Sequence, residues 1–170
     1  MSPLCIREMA PSDWPAVASI YGAGIQSRLA TFETHVPDWS QWDAAHLAAP
    51  RLVAEEAGTI VGWAALSPVS SRAAYRGVAE VSVYVAPLAQ RRGIGRELLL
   101  ALISATDRAD IWTLQATILA RNGASIRLHE RCGFRRVGHR ERIAQLDGEW
   151  LDTVVFERRR LLRGDSSGVA

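Results

Sequence analysis

Hydrophobic and polar positions change period along this chain, and the changes mark out its elements. From Val78 to Val85, Ala79, Val81, Val83 and Val85 alternate with Glu80, Ser82 and Tyr84, which is the period of a strand rich in β-branched residues. Ala86 and Pro87 stop it, because proline cannot donate to a ladder. A polar turn, Gln90-Arg91-Arg92-Gly93-Ile94-Gly95, follows. Ile94, Leu98, Leu99, Leu102 and Ala105 then recur at helical spacing, so the turn opens directly into an amphipathic helix.

The same reading extends outward in both directions. Leu4–Arg7 reads as a short first strand. Ser12 is placed to cap a helix with Asp13 and Pro15 in its first turn and Val17, Ile20, Tyr21 and Ile25 on its apolar side. Arg28–Pro37 breaks the periodicity as a loop, and Asp38 or Ser40 begins a second short helix that stops before Pro50. Arg51–Glu56 and Thr59–Ser67 alternate around Ala57-Gly58 as a hairpin, and Pro68–Gly77 is a loop. Ile111–Ile118 is a further strand and Gly123–Cys132 a helix ended by Gly133. Arg135–Arg142 and Glu149–Arg158 close the chain as an antiparallel pair around Asp147-Gly148. The order βααβββαβαββ predicts an α/β (α+β) domain: a mixed, mostly antiparallel sheet of about seven strands with helices on both faces. A single domain over 1–160 is expected, with a polar end over 161–170 read as disordered.

Composition narrows the class. The 170 residues are 48% apolar and 22% charged, with no apolar run of membrane-spanning length and no secretory pattern at the start. A soluble, cytoplasmic protein without a membrane partner is the expectation. A formal net charge of +2 is too small to argue for nucleic acid, and Arg158-Arg159-Arg160 reads as a solvated basic run. Two cysteines, Cys5 and Cys132, do not make a disulfide framework, and each is expected to pack as a small hydrophobe. His35, His46, His129 and His139 are scattered without metal-ligand spacing, so no metal is expected.

The chemistry centres on the glycine-bearing turn. Free N–H groups and the positive end of a helix dipole converge there on an anion site. Gly93 and Gly95 let a phosphate approach the backbone, and Arg91, Arg92 and Arg96 add charge. A G-x-G turn alone is also compatible with a plain strand-to-helix connection. A dinucleotide fingerprint fails because Leu98 stands where a third glycine belongs, and a Walker loop fails because the chain contains no lysine. The remaining sharper reading is a pyrophosphate cradle of another kind.

Gln90-x-x-Gly93-x-Gly95 after a Val-x-Val strand resembles the acetyl-CoA loop of the GNAT superfamily of N-acetyltransferases. Asn122-x-x-Ser125-Ile126-x-Leu128-His129-Glu130-x-x-Gly133-Phe134 is similar to a second block of that superfamily. Thr31-Phe32-Glu33-Thr34, Arg72-x-x-Tyr75 and Glu80-x-Ser82-Val83-Tyr84-Val85 resemble its phosphinothricin and methionine sulfoximine acetyltransferase branch, and the match runs over about residues 4–157.

The resemblance implies a GNAT fold whose middle strands splay at a bulge, with acetyl-CoA as cosubstrate in the gap. Val83, Tyr84 and Val85 would pair with the pantetheine arm, and Gln90, Arg91, Arg92, Gly93, Ile94, Gly95 and Arg96 would hold the diphosphate. Asn122 and Ser125 would bond the cofactor, although Asn122 is equally an N-cap. Glu80 is the candidate general base for a small-molecule amine, against a bland reading as a surface charge on a half-exposed strand. His129 stands where many relatives carry an acidic tyrosine, and an imidazole there can give or take a proton. Phe32 and Thr34 would line the acceptor pocket, and Arg72 with Tyr75 would bind the carboxylate of a small α-amino acid or analogue. A homodimer joined through the closing strands is also implied. Two other readings stay open: a GNAT enzyme for another amine, such as a peptide N-terminus, and a CoA-binding sensor without catalysis.

Overall fold

The computed structural model describes residues 3–160, and the end expected to be disordered, 161–170, lies outside them. Strands and helices follow in the predicted order: β1 (Leu4–Glu8), α1 (Trp14–Gln26), α2 (Trp39–Ala45), β2 (Arg51–Glu56), β3 (Thr59–Pro68), β4 (Val78–Val85), α3 (Ile94–Thr106), β5 (Thr113–Leu119), α4 (Gly123–Arg131), β6 (Arg135–Leu146) and β7 (Glu149–Arg159). The seven strands form one sheet in the order β1-β2-β3-β4-β5-β7-β6. Every neighbouring pair is antiparallel except β4 with β5.

That parallel pair is where the sheet opens. β4 stays with β3 along its length, from Pro68↔Ala79 to Gly62↔Val85, and β5 stays with β7 from Thr113↔Arg159 to Leu119↔Thr153. Between them only Val78–Glu80 and Thr113–Gln115 pair. Beyond Glu80 the strands part, leaving backbone groups of Val81–Val85 and Ala116–Leu119 without a ladder partner on the facing edges. The splay is therefore present, but the expected bulge is not: the β3–β4 register runs without a shift. Register shifts fall instead at Ala54/Glu55 and within the β6–β7 pair.

Alternation along the strands sends side chains to two cores. Leu52, Ala54, Ala64, Leu66, Ala79 and Val81 meet Leu98, Leu99 and Leu102 of α3, with Ile126 and Leu128 of α4 packed at the margin. Val53, Trp63 and Ala65 face the other way, against Val17 and Ile20 of α1 and Trp42 of α2. Gly62 sets the spacing of α3 on the sheet, because a Cβ there would come within 2.9 Å of both Leu98 Cδ1 and the Tyr84 carbonyl oxygen.

Details of the ends differ from expectation for electrostatic reasons. Ser12 does not cap α1. The chain makes a 3-10 turn over Pro11–Asp13, and the Asp13 carboxylate accepts from the Ala10 N–H at 2.8 Å and pairs with Arg7 of β1 at 2.7 Å. Asp38, rather than Ser40, begins α2, accepting from the Gln41 N–H at 2.9 Å while the Gln41 side chain accepts from the Asp38 N–H at 3.1 Å. Cys132 is buried as expected, whereas Cys5 is exposed on the edge strand β1.

Candidate active site

A cleft of ≈ 1320 Å³ occupies the opening between β4 and β5 and extends over the α1 and α2 face of the sheet. That exceeds the volume of a typical single-ligand pocket, so there is room for a cofactor arm and an acceptor together. Facing edges of β4 and β5, the turn before α3, one side of α4, and the loop after α1 all line it.

At the turn, Arg91 (φ 61°) and Gly93 (φ 85°) both take the left-handed region, which aims successive amides outward. Among the described residues no backbone carbonyl accepts from the N–H groups of Arg91, Arg92, Gly93, Ile94 or Gly95. The 13-residue helix α3 adds its dipole behind them. Only glycine holds the Gly93 conformation without strain. A Cβ at Gly95 would make ordinary contact with Leu128 and Val85, at 3.4 and 3.5 Å, so packing does not demand a glycine there. Arg91, Arg96, Arg127 and Arg131 surround this end of the cleft. Arg92 is turned away and pairs with Glu56 at 2.5 Å, so its side chain does not line the cleft. Free amides, four guanidinium groups and unpaired strand edges fit a diphosphate followed by an amide-bearing arm.

Asn122 lines the cleft and also serves the fold. Its Oδ1 accepts from the Ser125 N–H at 3.1 Å as the cap of α4, and its Nδ2 donates to the Leu29 carbonyl at 2.9 Å. It thereby ties α4 to the loop after α1 at the rim of the cleft. Ser125 lines the cleft one turn before His129.

His129 is buried, with its Nδ1 2.8 Å from the Ser125 carbonyl oxygen. A carbonyl only accepts, so the ring proton sits on Nδ1 and Nε2 carries a bare lone pair. Nε2 is buried and has no partner among the described residues. Burial pushes the imidazolium pKa below its ordinary value. His129 therefore meets a ligand as a proton acceptor and can donate from Nε2 only after gaining a proton. His46 is likewise depressed, chiefly by burial.

These two histidines make stability depend on pH. The unfolded chain takes up their protons near pH 6.5, the folded chain only at lower pH. Their contribution is whole above about pH 6.5 and is lost as pH falls from there towards the folded values. Asp13, Asp38 and Asp152, whose pKa values are lowered by their hydrogen bonds, lose their contributions only in the more acid carboxylate range. Melting temperature is expected to fall between pH 7.5 and 5.5, and to fall less in His129→Gln. An unchanged pH slope in that variant would refute the assignment.

Glu80 stands on β4 at the last residue paired to β5, where the cleft begins, opposite Ser67 of β3. It is half-buried, lines the cleft and forms no ion pair among the described residues. Phe32 reaches the cleft and packs against Leu119, Leu146 and Leu151. Thr34 does not line it; its hydroxyl is 3.4 Å from His35 Nδ1 on the exposed side of the loop. Arg72 and Tyr75 are also outside, exposed together with the guanidinium 5.9 Å from the ring. Their loop leads into β4, but neither side chain reaches the cleft.

Other lining residues were not named as site candidates from the sequence: Tyr21, Trp42, His46, Ser67 and Thr153, together with Thr31 and Glu33, which entered only as part of the Thr31-Phe32-Glu33-Thr34 block. Tyr84 stacks on Trp63 at 4.7 Å and meets Tyr21 edge-on at 5.0 Å, and burial raises both phenol pKa values. Tyr21 is signalled only as an apolar position on α1, and Glu33 only as a member of the Thr31-Phe32-Glu33-Thr34 block. The cleft's lining cations, Arg91, Arg96, Arg127 and Arg131, come from the turn before α3, from α3 and from α4, and its lining carboxylates are Glu33 of the loop after α1 and Glu80 of β4. Among the described residues no group of three His, Cys, Asp or Glu side chains is placed to hold a metal ion, and no helix is long and apolar enough to cross a membrane.

Comparison with known proteins agrees with this geometry. Residues 14–134 match the model of the Acetyltransferase (GNAT) family. The chain is 35% identical to the phosphinothricin N-acetyltransferase of Alcaligenes faecalis over 159 residues, covering 90% of this chain and 81% of that one. It is 33% identical to the L-methionine sulfoximine/L-methionine sulfone acetyltransferase of Salmonella typhimurium, covering 91% and 93% respectively. A crystal structure of a GNAT superfamily phosphinothricin acetyltransferase from Sinorhizobium meliloti, in complex with AcCoA, superposes with a TM-score of 0.85 at 27% identity, covering 98% of this chain and 93% of that one. With the split sheet, the free amides before α3 and these matches together, the chain belongs to the GNAT family of acetyltransferases.

Proposed function

We propose that the protein transfers the acetyl group of acetyl-CoA to the α-amino group of a small amino acid or analogue of the phosphinothricin and methionine sulfoximine type. The observation that carries this reading is the opening between β4 and β5, with free amides and arginines at one end and Glu80 at the other. Acetyl-CoA supplies an activated acetyl group. The amides from Arg91 to Gly95 and the arginines beside them would hold its diphosphate, and the free edge of Val83–Val85 its amide-bearing arm. Glu80 accepts a proton from the acceptor's ammonium, directly or through a water, so that a neutral amine attacks without an acyl-enzyme. Cys5 lies on β1 and Cys132 beyond α4, and neither lines the cleft, which removes the thiols as covalent carriers. His129 supplies a second lone pair near the reacting end and can return a proton to the departing sulfur once it has gained one.

Carboxylate recognition by Arg72 and Tyr75 is not supported by their exposed positions in this chain. The same reading includes a homodimer through the closing strands, where Val137, Ile143 and Trp150 are about half exposed. The test is release of free thiol from acetyl-CoA with L-methionine sulfoximine, compared with a peptide bearing a free α-amino end. Faster release with the amino acid is expected. Preference for the peptide would favour the alternative amine, and no release with either would favour a CoA-binding sensor.

A further inference from the structure

The α2 wall of the cleft carries polar groups that the proposed transfer does not use. Trp42 and His46 stack at 4.1 Å and both line the cleft, beside Ser67 and on the sheet face that holds Glu80. His46 Nδ1 lies 2.7 Å from the Trp42 carbonyl oxygen, so it donates there and leaves Nε2 with a bare lone pair. Nε2 has no hydrogen-bond partner among the described residues. The Trp42 Nε1–H is buried and has no acceptor. An imidazole lone pair at the wall of a cleft, without a protein partner, is open to a donor on a bound ligand.

The wall is also held rigidly. Arg51 donates to the carbonyls of Leu47, Asp43 and His46 at 2.7, 3.0 and 3.1 Å, and pairs with the Asp43 carboxylate. Its guanidinium lies 5.1 Å over the Trp42 ring. The imidazole is therefore fixed before any ligand arrives, which spares the ordering cost on binding.

We propose that His46 is a specificity residue: its Nε2 accepts a hydrogen bond from an N–H on the acceptor's side chain. The preferred acceptor then carries an N–H on its side chain, as in a sulfoximine or a primary amide. A sulfone offers oxygens only and would leave the imidazole lone pair unpaired. The inference rests on the proposed function and deepens it.

The experiment compares kcat/KM for L-methionine sulfoximine and L-methionine sulfone at pH 8 in three proteins. The native enzyme is expected to favour the sulfoximine about tenfold, the scale of one hydrogen bond made or left unmade. His46→Asn keeps a donor for the Trp42 carbonyl but removes the distal lone pair, and should bring the ratio close to one through the sulfoximine KM. His46→Gln, whose amide oxygen reaches the Nε2 position, should restore part of the preference. Equal use of both acceptors by the native enzyme overturns the inference, as does an unaltered ratio in His46→Asn. If His46→Asn does not fold, the native ratio and His46→Gln decide. If neither acceptor releases thiol from acetyl-CoA, the proposed function itself fails and this inference with it.

Discussion

Glu80→Gln is expected to lower kcat by about 10²-fold or more while leaving the KM for acetyl-CoA close to its native value. Glutamine matches glutamate in size and cannot accept a proton, so the substitution removes the base without opening the site. An α-amine with a pKa well above neutrality reaches the cleft mostly as the ammonium, and every turnover must strip that proton. Glu80 is suited to this because it stands at the mouth of the splay, half-buried, with no ion pair to hold it. Steady-state thiol release at saturating cosubstrate, measured from pH 6 to 9, is the check. Full retained rate would remove Glu80 from the mechanism and leave the His129 Nε2 lone pair as the base.

Trp63→Ala is expected to destabilise the fold by about 3–5 kcal/mol, the range for truncating a buried aromatic. Trp63 is 1% exposed and lies at the centre of the aromatic layer on the α1 and α2 face. It stacks on Tyr84 and meets both Trp42 and Tyr21 edge-on at 5.6 Å. Removing it leaves a cavity beneath two residues that line the cleft, Trp42 and Tyr84. A fall in melting temperature of roughly 6–20 °C follows for a domain of this size. The acceptor KM should rise with it, because the α2 wall loses its support. Trp63→Phe should cost much less, since it also removes a buried indole N–H that has no partner. A melting temperature within about 2 °C of the native value for the alanine variant would contradict this account.

Much of the architecture is written in local pattern. The alternation over Val78–Val85 and the helical recurrence from Ile94 place β4 and α3 where the structure has them, because each period buries one face and exposes the other. The turn between them is equally legible, since Gly93 is at a φ of 85° that a side chain would strain. End effects were less legible. Ser12 looks like a cap by residue type, but the arginine that draws Asp13 into place comes from β1. Arg72 with Tyr75 looks like a carboxylate clamp by composition, yet the loop that carries them turns both side chains outward.

The sequence by itself determined the order of elements, the glycine-bearing turn before α3, and Glu80 as the carboxylate on the strand preceding it. These depend on neighbours in the chain, where period and turn chemistry act directly. Tertiary structure alone decided that β4 and β5 part after three paired residues and that a single cleft unites Glu33, His46 and His129. It also decided that both imidazoles are left with free lone pairs. Those outcomes depend on which strand each edge prefers and on carbonyls that packing brings beside each ring, and neither can be read from residue spacing.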